Sequence, residues 1–492
     1  MLFNSAIFIL LFLPVTLAGF YLLARRSQVG ALAWLAFASV VFYGWGDPMR
    51  LVPIILASAT FNFLVARLLL YRRARLILIG GVAGNLLYLA YFKYAGLLVE
   101  TAAAVLHRPL APVHVTLPIG ISFFTFTQIA FLVDTWRRSA REYHPVNYGL
   151  FVAFFPHLIA GPIIHHAEVM PQFEDRRIRQ WDAGLSAEAL RWFTIGLFKK
   201  LVVADHVQPV AALVFEASKG SVQIGFVDAW AGAVAYALQL YFDFSGYSDM
   251  AIGLALLFGV RFPVNFNSPY QSLSLIEFWR RWHITLSRFL RDYLYIPLGG
   301  NRQGPIRRYL NLFVTMVLGG LWHGASWNFA AWGAIHGAGL VCNHLWRSLT
   351  TRRLPPVVAW GLTFGFAVFA WVPFRAENWH SAIAIWRGMA GGTWLYRHMP
   401  LVANMYWMVN LHALKTLPEK IAAAELTIAA LEKVLICFVA LAGIFLPNSA
   451  RIVERLLPHL GVKLALAFGL AFGLMTGFLI FHPPTEFLYF RF

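Results

Sequence analysis

Two histidines stand out because tryptophan, glycine and apolar residues surround them. His323 lies in Leu318-Gly-Gly-Leu-Trp-His-Gly, and His283 follows Trp279-Arg-Arg-Trp. Imidazole has an unperturbed pKa of about 6.5, so it can take a proton from an alcohol near neutral pH. A histidine inside a stretch apolar enough for a membrane is a functional hypothesis. The alternative is an interhelical hydrogen bond, and we expect it for His336.

The segment 277–302 holds the densest cluster of polar residues. Treated as one helix, it has an apolar stripe and an opposite charged face, with His283 on the border, where it can point into a cavity. The alternative is an interfacial amphipathic helix that binds anionic headgroups. The stripe consists of Trp279, Trp282, Leu286, Phe289, Leu290 and Tyr293. The i,i+4 charge pairs are Glu277 with Arg281, and Arg288 with Asp292.

A carboxylate and two cysteines also lie inside apolar sequence. Asp243 should be protonated or paired, because an isolated charge there is costly. It could orient a histidine, line an acceptor path or bond a neighbouring helix, and we favour the last role. Cys342 and Cys437 lack metal-ligand spacing and are expected to pack. No zinc pattern or P-loop occurs, so the sequence predicts neither a metal nor a bound cofactor.

The composition indicates a membrane protein. The chain has 492 residues, of which 59% are hydrophobic and 13% charged, and its mean hydropathy is +0.64. A spanning helix needs about 20 apolar residues, and the apolar segments supply about ten to twelve such helices. The dyad alternation of a membrane barrel is missing. We therefore predict an all-α, polytopic integral membrane protein.

The apolar segments divide a single membrane domain into three parts. Residues 1–140 form a helical scaffold, 141–346 the catalytic core and 347–492 a set of C-terminal helices. In the core, Gly, Pro, His, Asn and Asp interrupt the apolar runs, which is tolerated at membrane depth only beside protein or a water-filled cavity. The predicted spans are 3–23 (retained, not a signal peptide), 30–46, 51–66, 76–92, 115–134, 356–373, 433–447 and 464–481, with a weaker stretch at 95–106 and an amphipathic one at 417–433.

The basic residues lie in short clusters between apolar segments. The formal net charge of +18 would suggest nucleic acid for a soluble protein, but this distribution is typical of charge that sets membrane topology. We therefore expect contact with membrane lipids and none with nucleic acid. Two crossings separate successive clusters, which places them in the cytoplasm and the N-terminus outside. The clusters are Arg25/Arg26, Arg67/Arg72/Arg73/Arg75 and Arg137/Arg138/Arg141.

Several motifs together resemble one known family. The sequence Trp279-Arg-Arg-Trp-His283 is followed by Tyr293-Leu-Tyr-Ile-Pro-Leu-Gly-Gly-Asn301 and by Leu321-Trp-His323-Gly. This combination resembles the membrane-bound O-acyltransferase (MBOAT) family, in particular its bacterial alginate O-acetyltransferase branch. The likeness extends over nearly the whole chain, including Leu2-Phe-Asn-Ser5, Phe155-Pro-His-Leu-Ile-Ala-Gly-Pro162, Trp371-Val-Pro-Phe-Arg375 and Phe487-Leu-Tyr-Phe-Arg-Phe492.

The resemblance implies an acyltransferase whose helices surround a tunnel. The family's catalytic histidine falls on His323 and its second motif histidine on His283. It also implies that an acetyl group from a cytoplasmic donor, with acetyl-CoA as the expected molecule, crosses the bacterial inner membrane. Soluble periplasmic O-acetyltransferases and polysaccharide assembly proteins would be the partners, and alginate the expected polymer.

This picture assigns further roles to residues near the motifs. His323 would activate the accepting hydroxyl or carry the acetyl group itself. Arginines would hold the donor's phosphates, and tryptophans would wall the tunnel and exclude water. Asn328 and Asp243 complete the set of expected donor-binding or substrate-binding residues. The arginines are Arg280, Arg281, Arg302 and Arg307, and the tryptophans are Trp279, Trp282, Trp322 and Trp327.

Four other functions remain open at this stage. Within the family, the chain could acetylate cellulose or another glycan, or transfer D-alanine to teichoic acid. Outside it, a glycan or lipid flippase would need two related repeats with paired half-helices, and inspection finds no such repeat. A docking scaffold without chemistry would tolerate His323→Ala.

Overall fold

The structure is a computed structural model that describes residues 1–45, 51–111, 113, 115–137, 144–220, 223–391, 437–456, 462–482 and 484–488. Within these residues the regular secondary structure is helical, without strands, which confirms the predicted all-α class. The predicted amphipathic stretch 417–433 and the charges of Arg138 and Arg141 lie outside the described residues, as do the first four residues of the predicted span 433–447 and the last four residues of the closing motif.

The N-terminal part consists of apolar helices. The helices are α1 (Leu13–Ala24), α2 (Gln28–Tyr43), α3 (Val52–Tyr71), α4 (Arg75–Leu89), α5 (Ala95–Leu106) and α6 (Ile121–Arg137). The helices overlap the predicted spans, although the first span, 3–23, is covered by α1 together with a π-helical turn at Phe8–Phe12, and α6 begins six residues after the predicted start of the span 115–134. The weaker stretch at 95–106 continues the preceding span through a π-helical turn at Ala90–Tyr94.

Several helices are long and apolar enough to cross a membrane. Val52–Tyr71, Arg75–Leu106 and Pro356–Arg375 meet this condition by length and composition, and Phe8–Ala24, Gln28–Tyr43 and Leu466–Phe481 are shorter apolar helices. Their outward leucines suit contact with lipid, as for Leu87, which is 70% exposed. The total of ten to twelve spanning helices stays a prediction.

The central part is built around one long buried helix, α12 (Phe226–Leu257), in which every residue from 235 to 256 is buried. Helix α10 approaches it so closely that a Cβ on Gly246 would lie 2.7 Å from the carbonyl oxygen of Gly196. The other central helices are α7 (Pro145–Ala153), α8 (Phe155–Leu158), α9 (His166–Glu174), α10 (Ala183–Phe198), α11 (Asp205–Ala217), α13 (Leu275–Arg281), α14 (Ile284–Leu290), α15 (Gly304–His323) and α16 (Trp327–Leu349). The C-terminal helices are α17 (Pro356–Arg375), α18 (Trp379–Met389), α19 (Ser449–Leu456) and α20 (Val462–Phe481).

The prediction of one continuous helix from residue 277 onward is wrong, because the chain breaks between α13 and α14. His283 adopts the left-handed conformation, with φ 42°, which costs roughly 1–2 kcal/mol for a residue with a Cβ. Backbone hydrogen bonds to the non-helical segment that contains Asn265 and Asn267 stabilise the chain on both sides of this break. The Ile284 N–H donates to the Asn265 carbonyl at 2.9 Å, and the Asn267 N–H donates to the Arg281 carbonyl at 2.9 Å.

The charged residues of this segment pair only partly as predicted. Arg281 forms the expected ion pair with Glu277, at 2.6 Å. Arg288 instead reaches Glu168 at the start of α9, at 2.5 Å, and Asp292 pairs with its neighbour Arg291 at 2.6 Å. The second predicted i,i+4 pair is therefore wrong, because tertiary contact with α9 replaces it.

Arginine hydrogen bonds join the basic turns of the scaffold to other parts of the chain. The Arg179 guanidinium donates to the Ala24 carbonyl at 2.7 Å, and the Arg73 guanidinium donates to the Trp136 carbonyl at 2.9 Å. The first bond joins the end of α1 to the segment before α10, and the second joins the turn between α3 and α4 to the end of α6. The expectation that all three basic clusters share the cytoplasmic side stays a prediction.

Candidate functional site

His323 is the last residue of α15, and a close helix pair holds it in place. Helix α16 begins four residues later and packs back along α15. A Cβ on Gly320 would lie 2.2 Å from the Phe329 carbonyl oxygen, and one on Gly333 would lie 2.3 Å from the Met316 carbonyl oxygen. The glycines therefore permit the contact. The predicted helix break at His323 is confirmed, although α15 begins before its apolar run and has 20 residues.

Aromatic rings surround the His323 imidazole, which is 5% exposed. The ring centroids of Trp322, Trp332 and Phe374 lie 5.0, 5.1 and 5.2 Å from that of His323. This packing excludes bulk water from the imidazole, as a site that protects a reactive acyl donor from hydrolysis requires.

His283 faces the same site, and its protonation pattern follows from its partner Asn265. The Asn265 Oδ1 accepts from the Thr285 N–H at 3.3 Å, so it is an acceptor, and it lies 3.1 Å from His283 Nδ1. Nδ1 therefore carries the hydrogen and donates it. The buried Nε2 then offers a lone pair, and it has no hydrogen-bond partner among the residues described. The His283 and His323 ring centroids are 6.5 Å apart.

A small cavity of about 140 Å³ opens beside His323. Its lining includes Lys93, Ser122 and Trp322. The Lys93 ammonium donates to the carbonyl of His323 at 3.1 Å and to the carbonyl of Trp322 at 2.6 Å. Lys93 was not among the residues predicted from the sequence. The sequence feature that could have identified Lys93 is its position inside an apolar span, where an ionisable residue normally marks a functional site.

A larger cavity of about 780 Å³ lies along the earlier turns of α15. Trp279 and Met316 line it, together with the basic residues Arg280, Arg308 and His344. His344 accepts a hydrogen bond from Arg308 at 2.5 Å. Within the described part of the chain, neither Arg280 nor Arg308 has a carboxylate partner. At 1.5 Å per residue, Arg308 lies about 22 Å from His323 along the helix axis.

Three of the four predicted tunnel tryptophans lie near the histidines. Trp279 donates to His336 Nδ1 at 3.3 Å, which confirms the hydrogen-bond interpretation of His336. Trp282 is buried and packs on Trp371, with ring centroids 4.9 Å apart, and Trp322 lines the small cavity. Trp327 is 60% exposed, so its predicted place in the tunnel wall is wrong.

The other predicted ligand-binding residues have partners elsewhere. Asp243 pairs with Lys200 at 2.8 Å and accepts the Leu488 N–H at 2.9 Å, which agrees with the favoured role of bonding a neighbouring element. The Asn328 amide donates to the Ala376 carbonyl at 2.9 Å. Asp243, Asn328 and Arg281 line neither of the two cavities, and Arg302 and Arg307 are exposed.

A second cluster of titratable groups joins Asp134, His165 and His166, and Tyr293 completes it. The Asp134 carboxylate lies 2.9 Å from His165 Nε2 and accepts from the Tyr293 hydroxyl at 2.5 Å. His165 Nδ1 accepts from the Ala167 N–H at 3.3 Å, so the ring hydrogen sits on Nε2, which then donates rather than ligates. These directions favour a hydrogen-bonded cluster that ties α6 to the segment after α14.

A helical membrane chain with a buried histidine that lines a cavity is typical of a membrane-embedded group-transfer enzyme. Comparison with known proteins gives the family. The sequence model of MBOAT, the membrane-bound O-acyltransferase family, matches residues 73–377. The chain belongs to this family and is an acyltransferase.

Relatives in the family carry different names. The peptidoglycan O-acetyltransferase of Helicobacter pylori is 40% identical over 427 residues, covering 80% of each chain. The probable alginate O-acetylase AlgI of Pseudomonas aeruginosa is 43% identical over 409 residues, covering 80% of this chain and 76% of the relative. The teichoic acid D-alanyltransferase of Bacillus subtilis is 25% identical over 279 residues, covering 53% and 69%.

Proposed function

We propose that this protein takes an acetyl group from a thioester donor at its arginine-lined cavity and passes it, with His323 as the catalytic base, to a hydroxyl that enters through the small cavity. The observation that carries the proposal is the position of His323. It ends a helix whose earlier turns line the large cavity, and it lines the small cavity itself.

The reaction balances with the groups present. His323 takes the proton of the acceptor hydroxyl while the hydroxyl oxygen attacks the thioester carbonyl carbon. A C–O bond forms and a tetrahedral oxyanion develops. Collapse of that intermediate breaks the C–S bond. The protonated His323 then returns its proton to the leaving thiolate. The His283 Nε2 lone pair accepts a hydrogen bond from the substrates and helps to align them.

The large cavity supports an anionic donor with a long arm, and acetyl-CoA fits this description. Arg280 and Arg308 can bind phosphate oxygens, because their guanidinium groups are not engaged by carboxylates within the described residues. The separation of about 22 Å along α15 leaves room for an extended arm that brings the thioester to His323. The lining of the large cavity is itself basic, and basic segments favour the cytoplasm. The donor would thus come from the cytoplasm across the bacterial inner membrane, with the N-terminus outside.

The names of the relatives support a polysaccharide as the final acceptor. A peptidoglycan O-acetyltransferase and a probable alginate O-acetylase match at 40% and 43% identity over the same share of this chain. These two identities are too close to distinguish the acceptors. The experiment below therefore tests both alginate and peptidoglycan. Soluble periplasmic transferases and polysaccharide assembly proteins are the proposed partners. D-Alanyl transfer has less support, because those relatives match about half of the chain.

The test is transfer of radiolabelled acetyl from acetyl-CoA in membranes with matched amounts of protein, with the soluble partner enzymes and either polymer added. We compare the wild type with His323→Ala, His283→Ala and the control His482→Ala, which changes an exposed histidine. Loss of a general base costs about 10² to 10⁴ in rate. We expect His323→Ala to lose transfer to that extent and His482→Ala to keep it.

The two polymer arms and the variants answer different questions. Label in alginate but not in peptidoglycan, or the reverse, identifies the acceptor. Wild-type transfer in His323→Ala would contradict the catalytic role of this residue. Transfer of labelled D-alanine from a charged carrier protein, with none of acetyl, would replace the proposed donor.

A further inference from the structure

Lys93 stands at the end of the helix that carries His323. It lies in the π-helical turn Ala90–Tyr94, within the apolar stretch Arg75–Leu106. Its ammonium donates to the carbonyls of Trp322 and His323, at 2.6 and 3.1 Å, and to the Ser122 hydroxyl at 3.1 Å. An ammonium has three N–H donors, so these bonds use all of them.

Lys93 and its neighbour complete the end of α15. The last four carbonyls of an α-helix have no partner within the helix. Lys93 satisfies two of them, and the Tyr94 hydroxyl donates to the Leu321 carbonyl at 2.7 Å. The π-helical turn presents both side chains to the same helix end, and such turns are frequent at functional sites.

Lys93 differs from other lysines of the core in the groups that compensate its charge. Lys199 pairs with Asp249 at 2.7 Å, and Lys200 pairs with Asp243 at 2.8 Å. Lys93 has no carboxylate partner in the part of the chain described. Its charge instead meets the negative end of the α15 dipole, at the wall of the cavity that His323 also lines.

We propose that Lys93 is a positioning residue for acyl transfer: it fixes the backbone of His323 and supplies positive charge beside the small cavity, where the tetrahedral oxyanion forms. This inference rests on the proposed function. The charge of the oxyanion exists in the transition state and not in the bound thioester, so a fixed cation there lowers the barrier more than it tightens donor binding.

The test compares Lys93→Met, which removes the charge at similar length, with Lys93→Arg, which keeps it. Both are measured for kcat and for the KM of acetyl-CoA, beside wild type and His323→Ala. We expect Lys93→Met to lower kcat about 10²-fold with the KM changed less than about twofold, because the donor headgroup binds elsewhere. We expect Lys93→Arg to restore most of kcat.

A purely structural role gives a different pattern. Equal losses in Lys93→Met and Lys93→Arg, with a lower melting temperature in both, would overturn the inference, and so would full kcat in Lys93→Met. If Lys93→Met does not accumulate, Ser122→Ala decides. Loss of one bond to the ammonium should lower kcat several-fold at unchanged KM, and wild-type kcat there would count against the role of Lys93.

Failure of this inference differs from failure of the proposed function. Transfer that is lost in His323→Ala but complete in Lys93→Met removes only the role of Lys93. Transfer that persists in His323→Ala removes the proposed chemistry itself.

Discussion

A hydrogen bond to Asn265 determines the orientation and the protonated nitrogen of His283. Asn265 fixes the hydrogen of His283 on Nδ1 and leaves Nε2 as an acceptor in a buried site. In an unbonded imidazole the hydrogen can occupy either nitrogen, and the ring can turn. The direction of the His283 lone pair is therefore a property of Asn265 as much as of the histidine.

We predict that Asn265→Ala lowers kcat about tenfold, which corresponds to the loss of one aligning hydrogen bond of about 1–1.5 kcal/mol. The change leaves the donor KM nearly unaltered, because Asn265 is not part of the large cavity. Steady-state acetyl transfer measures both constants. The control is Asn62→Ala, which breaks the buried pair of Asn62 with Asn85, at 3.0 Å, in the scaffold. An equal fall of kcat in the control would contradict the specific role of Asn265.

The arginines of the large cavity should act on donor binding. We predict that Arg280→Gln and Arg308→Gln each raise the KM for acetyl-CoA about tenfold or more at nearly constant kcat, because a charge-assisted bond to phosphate contributes about 1.5–3 kcal/mol. The measurement is KM at low and high salt, since screening should reduce the difference. Arg26→Gln, in an exposed turn outside the cavity lining, is the matched control. A KM unchanged in both cavity variants would contradict the placement of the donor headgroup.

At the level of helices, apolar length predicts more than periodicity does. The scaffold helices α1 to α6 follow the apolar runs of the sequence. The dominant requirement of a membrane span is a run of about 20 apolar residues, which the sequence shows directly. The break at His283 could not be predicted in this way. The residues around it keep a helical period, and the contact that unwinds them comes from Asn265 and Asn267, which lie outside the segment.

The site itself was predicted only in part, for a similar reason. The motifs identify His323 and His283, but the neighbours of these residues depend on tertiary contacts. Lys93 belongs to a different part of the chain and meets His323 only when the π-helical turn Ala90–Tyr94 contacts the end of α15. Trp327 lies only five residues after Trp322 in the sequence, yet it is exposed at the start of α16, whereas Trp322 is buried.

The contact between α15 and α16 leads to a stability prediction. In Gly333→Ala the added methyl group would meet the Met316 carbonyl oxygen at 2.3 Å, so the helices must separate, at a cost of about 1–3 kcal/mol. We expect a lower melting temperature in detergent and lower transfer, because His323 ends one of the two helices. Gly361→Ala in α17 is the control, since nothing lies within 4 Å of its added Cβ. A melting temperature that falls equally in both variants would contradict the packing argument.

Across the whole molecule, buried ion pairs tie the chain's end to its centre. Lys200 lies 2.8 Å from both Asp205 and Asp243, and its ammonium also donates to the Glu486 carbonyl at 3.1 Å. These bonds join α11, α12 and the segment 484–488. Breaking a buried pair by removing one partner leaves an uncompensated charge and is strongly destabilising.

A substitution of Asp243 can distinguish a role in stability from a role in substrate binding. We predict that Asp243→Asn lowers the free energy of unfolding by about 3 kcal/mol, while the folded fraction keeps its KM and kcat. Thermal unfolding and transfer per folded molecule are the measurements. Glu216→Gln, in an exposed pair with Lys219, should change little and serves as the control. A raised KM at unchanged stability would instead return Asp243 to the substrate path predicted as one alternative from the sequence.

The orientation of the molecule determines which compartment supplies the donor. Helices α4 and α5 with their π-helical turn form one stretch of 32 residues, about 48 Å long at 1.5 Å per residue. A stretch of this length is enough to cross a membrane about 30 Å thick, and such a crossing would place Arg72 and Arg108, which flank it, on opposite sides. Basic loops favour the cytoplasm, so Arg72 should face inward and Arg108 outward.

We predict that a membrane-impermeant maleimide labels Arg108→Cys in intact cells, and labels Arg72→Cys and Arg26→Cys only after permeabilisation. Cys342 and Cys437 are first replaced by serine, so that each variant has a single thiol. Arg26 tests the parity independently, because α2 and α3 separate it from Arg72. The reverse labelling would put the arginine-lined cavity on the outside, where acetyl-CoA is not supplied, and the proposed direction of transfer would then be wrong even if His323 remained the catalytic base.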